Sequence, residues 1–280
     1  MNTRDGKLTA KDGLSLYWKA WLPDGAPRAV VHLIHGYAEH TGRYQNVVNE
    51  LVPAGYAILG KDHRGHGQSG GKRGHVESFQ DFIDDERQFA LEVISPSFPD
   101  TPCFMLGHSM GSIIAIHYVE QQEHNLKGLV LSGTGSLPGK GIPKVIMAIT
   151  KVLSKILPGI HVKSPLPPEF ISRDADVVCA YVNDPLVYNV ITPRLAEQMQ
   201  TCLLTGAANT QCISLPVLIQ HGSEDTSFSG QQELLDCIGA HDKTFKLYEG
   251  LRHEVYNEIP ADRARVLSDL RAWLDSHLNK

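Results

Sequence analysis

The sequence lacks several features that would place it among familiar non-enzymatic classes. No run approaches the roughly 18 consecutive apolar residues that a helix needs to cross a bilayer, and Met1–Asp12 has no apolar stretch of the kind that forms a secretory leader. A basic excess is missing too. The 26 Lys and Arg are outnumbered by 31 Asp and Glu, and a net charge of −5 creates no positive field to gather nucleic acid. The five cysteines (Cys103, Cys179, Cys202, Cys212, Cys237) are odd in number and widely spaced, with no C-x-x-C pair. That pattern argues against a disulfide framework or a thiolate metal site, and reduced thiols in a cytoplasmic protein are expected. Internal repeats and low-complexity tracts are absent.

What is present is 280 residues, 42% of them hydrophobic, enough for one full core plus an insertion. The chain is organised around Gly107-His108-Ser109-Met110-Gly111. This G-x-S-x-G sequence lies between the apolar run Pro102–Leu106 and the helix-forming stretch Ser112–Val119. A strand, a tight turn and a helix form the context of a nucleophile elbow. Both glycines are required because strand and helix approach closely on either side of the serine. The helix that starts there directs free N–H groups at a developing oxyanion.

The remaining pattern is that of an α/β protein. Leu14–Trp21 alternates as an edge strand, Ala29–Ile34 reads as a buried parallel strand, and Tyr56–Gly60, Leu126–Gly133, Leu215–Gln220 and Thr244–Tyr248 follow as further strands. Helices are predicted over about 44–54 and 79–94. The strand at Ala29–Ile34 delivers His35-Gly36-Tyr37 to the carboxyl end of the sheet, where the Tyr37 N–H joins that of Met110 as an oxyanion donor. His63, His66 and His75 have no H-E-x-x-H helix and no carboxylate companion, so they read as a loop packed beside the nucleophile rather than a metal site. Neither a metal nor an organic cofactor is expected.

The strand-helix alternation lapses from about residue 136 to residue 207. The expected organisation is therefore an α/β core in two parts, 1–135 and 208–280, interrupted by a cap at 136–207. Within the cap, Ile142, Val145, Ile146, Ile149, Val152, Leu153, Ile156 and Leu157 recur at helical spacing as one broad apolar face. Lys144, Lys151 and Lys155 lie off it, Lys140 and Lys163 flank it, and no Asp or Glu occurs between Gly135 and Pro168. One reading packs the face on the core. The other makes the segment a lid whose face lines an acyl tunnel or dips into a membrane surface.

A serine elbow needs an acid and then a base later in the chain. The loop after the strand at 217–220 offers Glu224 and Asp225, and spacing alone does not choose between them. Beyond the last strand His253 is the base, because the only later histidine, His277, falls at a terminus expected to fray.

At these residues the chain resembles the monoacylglycerol lipases and lysophospholipase-like serine hydrolases of the α/β-hydrolase class. The resemblance rests on His35-Gly36 with Glu39-His40 and Gly42-Arg43-Tyr44, on Asp62–Gly67 and Gly107–Gly111, and on Asp184-Pro185-Leu186, His221-Gly222 with Asp225, and His253. It implies a mostly parallel sheet with helices on both faces and an inserted helical cap. It further implies that Asp225 is the acid, and that Glu39, Arg43, His108 and Tyr181 surround the polar head of a bound ester. The implied reaction is cleavage of a monoacylglycerol to fatty acid and glycerol through an acyl-enzyme. A lysophospholipase or general carboxylesterase would use the same triad, whereas a binding module on this fold would be expected to have lost one of its members. The expected partners are a lipid ester and, through the cap, a membrane surface.

Overall fold

The computed structural model describes residues 1–121, 125–139, 144–164 and 166–278. An eight-stranded sheet forms its centre, built from β1 (Asn2–Thr9), β2 (Ser15–Leu22), β3 (Ala29–Ile34), β4 (Tyr56–Lys61), β5 (Cys103–His108), β6 (Leu126–Ser132), β7 (Val217–Gly222) and β8 (Lys243–Tyr248). The spatial order is β1-β2-β4-β3-β5-β6-β7-β8. From β4 to β8 every neighbouring pair is parallel, while β2 runs against both of its partners.

The continuous apolar strands follow from burial on two faces. Along β5, Met105 packs into one core with Ile34, Leu129, Leu131 and Ile219, while Phe104 and Leu106 pack into the other with Val31, Leu33, Val130 and Leu218. Successive side chains alternate between faces, so a strand covered on both sides has no polar position to spare. Helices α1 (Gln45–Leu51) and α8 (Pro260–His277) cover the second face. On the first lie α2 (Phe79–Phe89), which continues through a π turn at Ala90–Ile94, and α3 (Met110–Gln121).

Between β6 and β7 the described residues add no strand to this sheet. It forms α4 (Lys144–Ile156), α5 (Ala175–Asn183) and α6 (Pro193–Asn209), and α7 (Gln231–Cys237) follows β7. Helix α4 packs on α6, and α6 packs in turn on α3. The expected cap boundary at residue 207 therefore falls inside α6, a helix that also buries Leu195 and Leu203 against the core.

Three local expectations are corrected. The strand β2 is not an edge, because β1 pairs along its whole length. His277 does not fray: its imidazole is buried on Trp273, with Nδ1 2.7 Å from the Trp273 carbonyl. And His63 does have a carboxylate companion, Glu86 of α2 at 3.3 Å.

Candidate active site

Ser109 has φ +54°, in the left-handed region that costs an L-residue roughly 1–2 kcal/mol. Its surroundings impose that geometry. A Cβ on Gly107 would lie 2.9 Å from that of Ala115, and one on Gly111 would collide with the Ile34 and His35 carbonyls. Both glycines are thus demanded by the close approach of α3 to the ends of β5 and β3. The turn is tied down by the Ser109 N–H, which donates to the Ser132 carbonyl at 3.0 Å, and by the Ser112 hydroxyl, which donates to the Ser109 carbonyl at 2.6 Å. Ser109 is half-buried between the fully buried His108 and Met110.

The loops after β7 and β8 bring in the other two groups. Asp225 Oδ2 accepts a hydrogen bond from His253 Nδ1 at 2.7 Å, with both side chains buried. Glu224, the alternative carboxylate, is exposed. Because the carboxylate only accepts, Nδ1 carries the proton and the Nε2 lone pair is free on the opposite side of the ring. Burial works against ionisation of Asp225, but the His253 charge and hydrogen bond outweigh it and hold its pKa at about 2. Burial likewise lowers the His253 pKa, but the charge of Asp225 and its hydrogen bond, followed by Glu254 and Glu39, raise it above its usual 6.5. No described hydrogen bond joins Ser109 to His253. Such contacts are commonly long until a substrate docks.

His108 neighbours both, preceding Ser109 in the chain and setting its ring 4.8 Å from that of His253. A Cβ on Gly133 would stand 2.9 Å from His253 Cε1 and 3.0 Å from His108 Cε1, and one on Gly36 would stand 3.1 Å from the Ser109 Cβ and 3.4 Å from His108 Cδ2. Glycine at 36 and 133 thus leaves room for the His108 ring to sit against both. Burial, reinforced by the His253 charge, pushes the His108 pKa down to about 3 and keeps it neutral. The Tyr37 and Met110 amides, the expected oxyanion donors, have no acceptor among the described residues.

Glu39 and Arg43, expected around the ester head, are turned toward each other. Glu39 Oε1 accepts from the Gly36 N–H at 2.6 Å and the Tyr44 hydroxyl at 2.8 Å, and its Oε2 faces Arg43 Nη1 at 2.9 Å. Arg43 also grips Glu254 with Nη1 at 2.6 Å and Nη2 at 2.8 Å, and its guanidinium lies over the Tyr181 ring, 4.6 Å from the centroid. All three charged side chains are less than a tenth exposed. The sequence reading missed Glu254. Nothing local in the sequence signals it, because Glu254 lies 211 positions from Arg43.

Residues 168–171 of the insertion clamp the base loop. The Glu254 N–H donates to the Ile171 carbonyl at 2.8 Å, and the Phe170 ring lies 5.2 Å from that of His253. The apolar face of α4 does not pack on the core. Val145, Ile146 and Ile149 are 63%, 50% and 52% exposed, Leu153 is half-buried, and Ile142 lies outside the described residues. Among the described side chains of this helix only Ser154 is buried, so the stripe looks outward.

A serine lifted out of a parallel sheet, with its imidazole carried on a later loop, defines the α/β-hydrolases, and this chain is a serine hydrolase of that fold. It belongs to the family described as serine aminopeptidase, S33, which it matches over residues 25–260. It is 37% identical over 269 residues to a monoacylglycerol lipase of Mycolicibacterium smegmatis, covering 95% of either chain. To the monoglyceride lipase of Mus musculus it is 30% identical over 275 residues, covering 97% of this chain and 90% of that one. A soluble variant of the Saccharomyces cerevisiae monoglyceride lipase, solved with a substrate analog, superposes with a TM-score of 0.88 at 25% identity, covering 97% of this chain and 94% of that one.

Proposed function

We propose that the protein hydrolyses monoacylglycerols to fatty acid and glycerol, with Ser109, Asp225 and His253 as its catalytic residues. The observation that carries this reading is the 2.7 Å pair of His253 and Asp225, whose imidazole lies 4.8 Å from the ring of His108, the residue before a half-exposed serine on a left-handed turn. Ser109 attacks the ester carbonyl while His253 Nε2 takes its proton, and Asp225 stabilises the imidazolium. The amides of Tyr37 and Met110 receive the oxyanion. His253 then returns the proton to the departing glycerol oxygen, and water releases the fatty acid by the same route.

The family description names aminopeptidases, but an ester fits the site better. A peptide amino group would require a carboxylate turned to the cleft, and Glu39 and Glu254 are both turned to Arg43, at 2.9 and 2.6 Å. The head group is placed over His108 and Tyr181, with Glu39 and Arg43 as the charged layer behind them. The segment 136–207 acts as a cap. Its α4 helix, with exposed apolar residues flanked by Lys151 and Lys155, rests on a lipid surface and passes the acyl chain to Ser109. No described helix is long and apolar enough to cross a membrane.

A hydrolysis panel of monoacyl, diacyl and triacylglycerols with lysophospholipids tests the substrate, with Ser109→Ala as the control. Monoacylglycerol should lead the panel and Ser109→Ala should be inactive. A lysophospholipid turned over faster than any glyceride would replace the substrate named here.

A further inference from the structure

We propose that a buried polar chain running from Lys61 and Glu86 through His63 to His35 aims the Tyr37 amide, and that His35 and His63 are positioning residues of the oxyanion site. The inference rests on the serine-esterase reading above.

It begins with two consecutive peptide units. In a trans peptide the C=O and N–H point in opposite directions. The unit joining Gly36 to Tyr37 has its carbonyl 2.8 Å from His35 Nδ1, so its N–H, the proposed oxyanion donor, is turned the other way. The preceding unit, joining His35 to Gly36, has its carbonyl 2.9 Å from His63 Nε2 and its N–H 2.6 Å from Glu39 Oε1. Three of the four polar groups are held by side chains, and the Tyr37 N–H alone has no described acceptor.

The contacts also define the protonation of His35. A carbonyl can only accept, so Nδ1 bears the hydrogen. His35 Nε2 receives the His63 backbone N–H at 2.9 Å, so that nitrogen must be bare. Only the neutral Nδ1–H tautomer satisfies both. Burial, reinforced by His63 and His66, drives the His35 pKa well below 6.5 in agreement.

His63 therefore grips His35 at two points, and it is anchored from behind. Its Nδ1 lies 3.3 Å from Glu86 Oε1 and 3.5 Å from Lys61 Nζ; the Lys61–Glu86 ion pair measures 2.9 Å, and His32 meets Glu86 Oε2 at 2.8 Å. All are at most 1% exposed. A buried ion pair is often no more stabilising than apolar side chains of the same volume. What this pair supplies is a fixed orientation for the His63 ring, and through it for the turn.

The test uses the full chain with a monoacylglycerol and a nitrophenyl ester. His35→Asn keeps an amide nitrogen near the position of Nδ1, whereas His35→Gln reaches the position of Nε2 and loses the donor to the Gly36 carbonyl. For His35→Gln, kcat should fall about 10²–10³-fold, the size of a lost oxyanion donor, with KM within about twofold. Affinity for an alkyl boronic acid should fall in parallel, and the acid limb of kcat/KM should stay in place because His253 and Asp225 are untouched. His35→Asn should recover most of the loss. A folded His35→Gln that retains its kcat overturns the inference. Should that variant not fold, the paired replacement Lys61→Met with Glu86→Leu serves instead, with the same kcat loss expected and unchanged kcat refuting the role of the chain. If the unmodified protein cleaves only the nitrophenyl ester, the substrate reading fails while the positioning test still reads out.

Discussion

His253 Nδ1 stands 2.7 Å from Asp225 Oδ2, while the adjacent Glu224 is exposed. Asp225→Asn should therefore lower kcat by about 10⁴-fold, the loss seen when the equivalent change imposes the wrong tautomer in a serine protease. Glu224→Gln should stay within about twofold. The pH profile gives a second readout. Activity requires unprotonated His253, and its pKa is raised above 6.5, so the acid limb of kcat/KM lies above pH 6.5. Burial alone would lower it, and removing the Asp225 charge takes away the largest opposing influence, so the limb of the residual activity should move to lower pH. A limb that stays in place or rises would contradict this assignment.

The left-handed backbone of Ser109 predicts a difference between two inactive variants. Ser109→Gly relieves the strain of φ +54° and Ser109→Ala keeps it. After glycine's larger entropy loss is allowed for, the glycine variant should be the more stable by about 1 kcal/mol. In a chain of this size that is roughly 2–4 °C in Tm, which calorimetry resolves. Equal melting temperatures would mean that the strain at Ser109 is no larger than glycine's entropy cost.

Most of the sheet was legible because its strands are covered on both faces. Ala29–Ile34 has no polar position except the buried His32, and the element found there has the bounds expected. The strand β1 was missed for the opposite reason. Asn2–Thr9 pairs only with β2 and buries a single side chain, Leu8, so its sequence carries no period. The elbow, the base and the pair of candidate acids were readable from chain order. Which acid meets the imidazole is set by the direction of two neighbouring side chains on one loop, and the choice of Asp225 came only from resemblance. Partners that meet across the fold left no local trace: Glu254 lies 211 positions from Arg43, and Glu86 is on a helix remote in sequence from the strand of Lys61. The α4 stripe was read correctly as amphipathic. Periodicity does not say whether such a face looks inward or outward.

Arg43 holds two buried carboxylates, Glu39 and Glu254, and its removal should be among the costliest single changes. Arg43→Ala leaves both without a counter-charge, a loss of about 3–5 kcal/mol in urea unfolding at neutral pH. The sign of the pH dependence follows from linkage. With the guanidinium gone, burial raises the folded-state pKa of these carboxyls above the unfolded value of 4.5. A raised folded pKa means stability that is present below 4.5 and lost as pH rises through the folded value. The deficit should therefore be smaller at pH 4 than at pH 7. A constant deficit would show that packing, not charge, accounts for it.

The outward face of α4 separates a lipid-surface role from a packing role. Ile149 is 52% exposed, so Ile149→Ser should change folding stability by no more than about 0.5 kcal/mol. At a bilayer each buried CH₂ is worth about 0.8 kcal/mol, and the same substitution should weaken partitioning to phosphatidylcholine vesicles by roughly tenfold or more. Leu153 is half-buried, so Leu153→Ser should lower Tm as well as partitioning. Lys151→Glu should act differently again, weakening binding to vesicles that contain anionic lipid in a salt-dependent way and leaving neutral vesicles unaffected. Vesicle co-sedimentation alongside melting curves resolves the three patterns. Unchanged partitioning for a folded Ile149→Ser would falsify the membrane contact and leave the exposed stripe as the mouth of the acyl path alone.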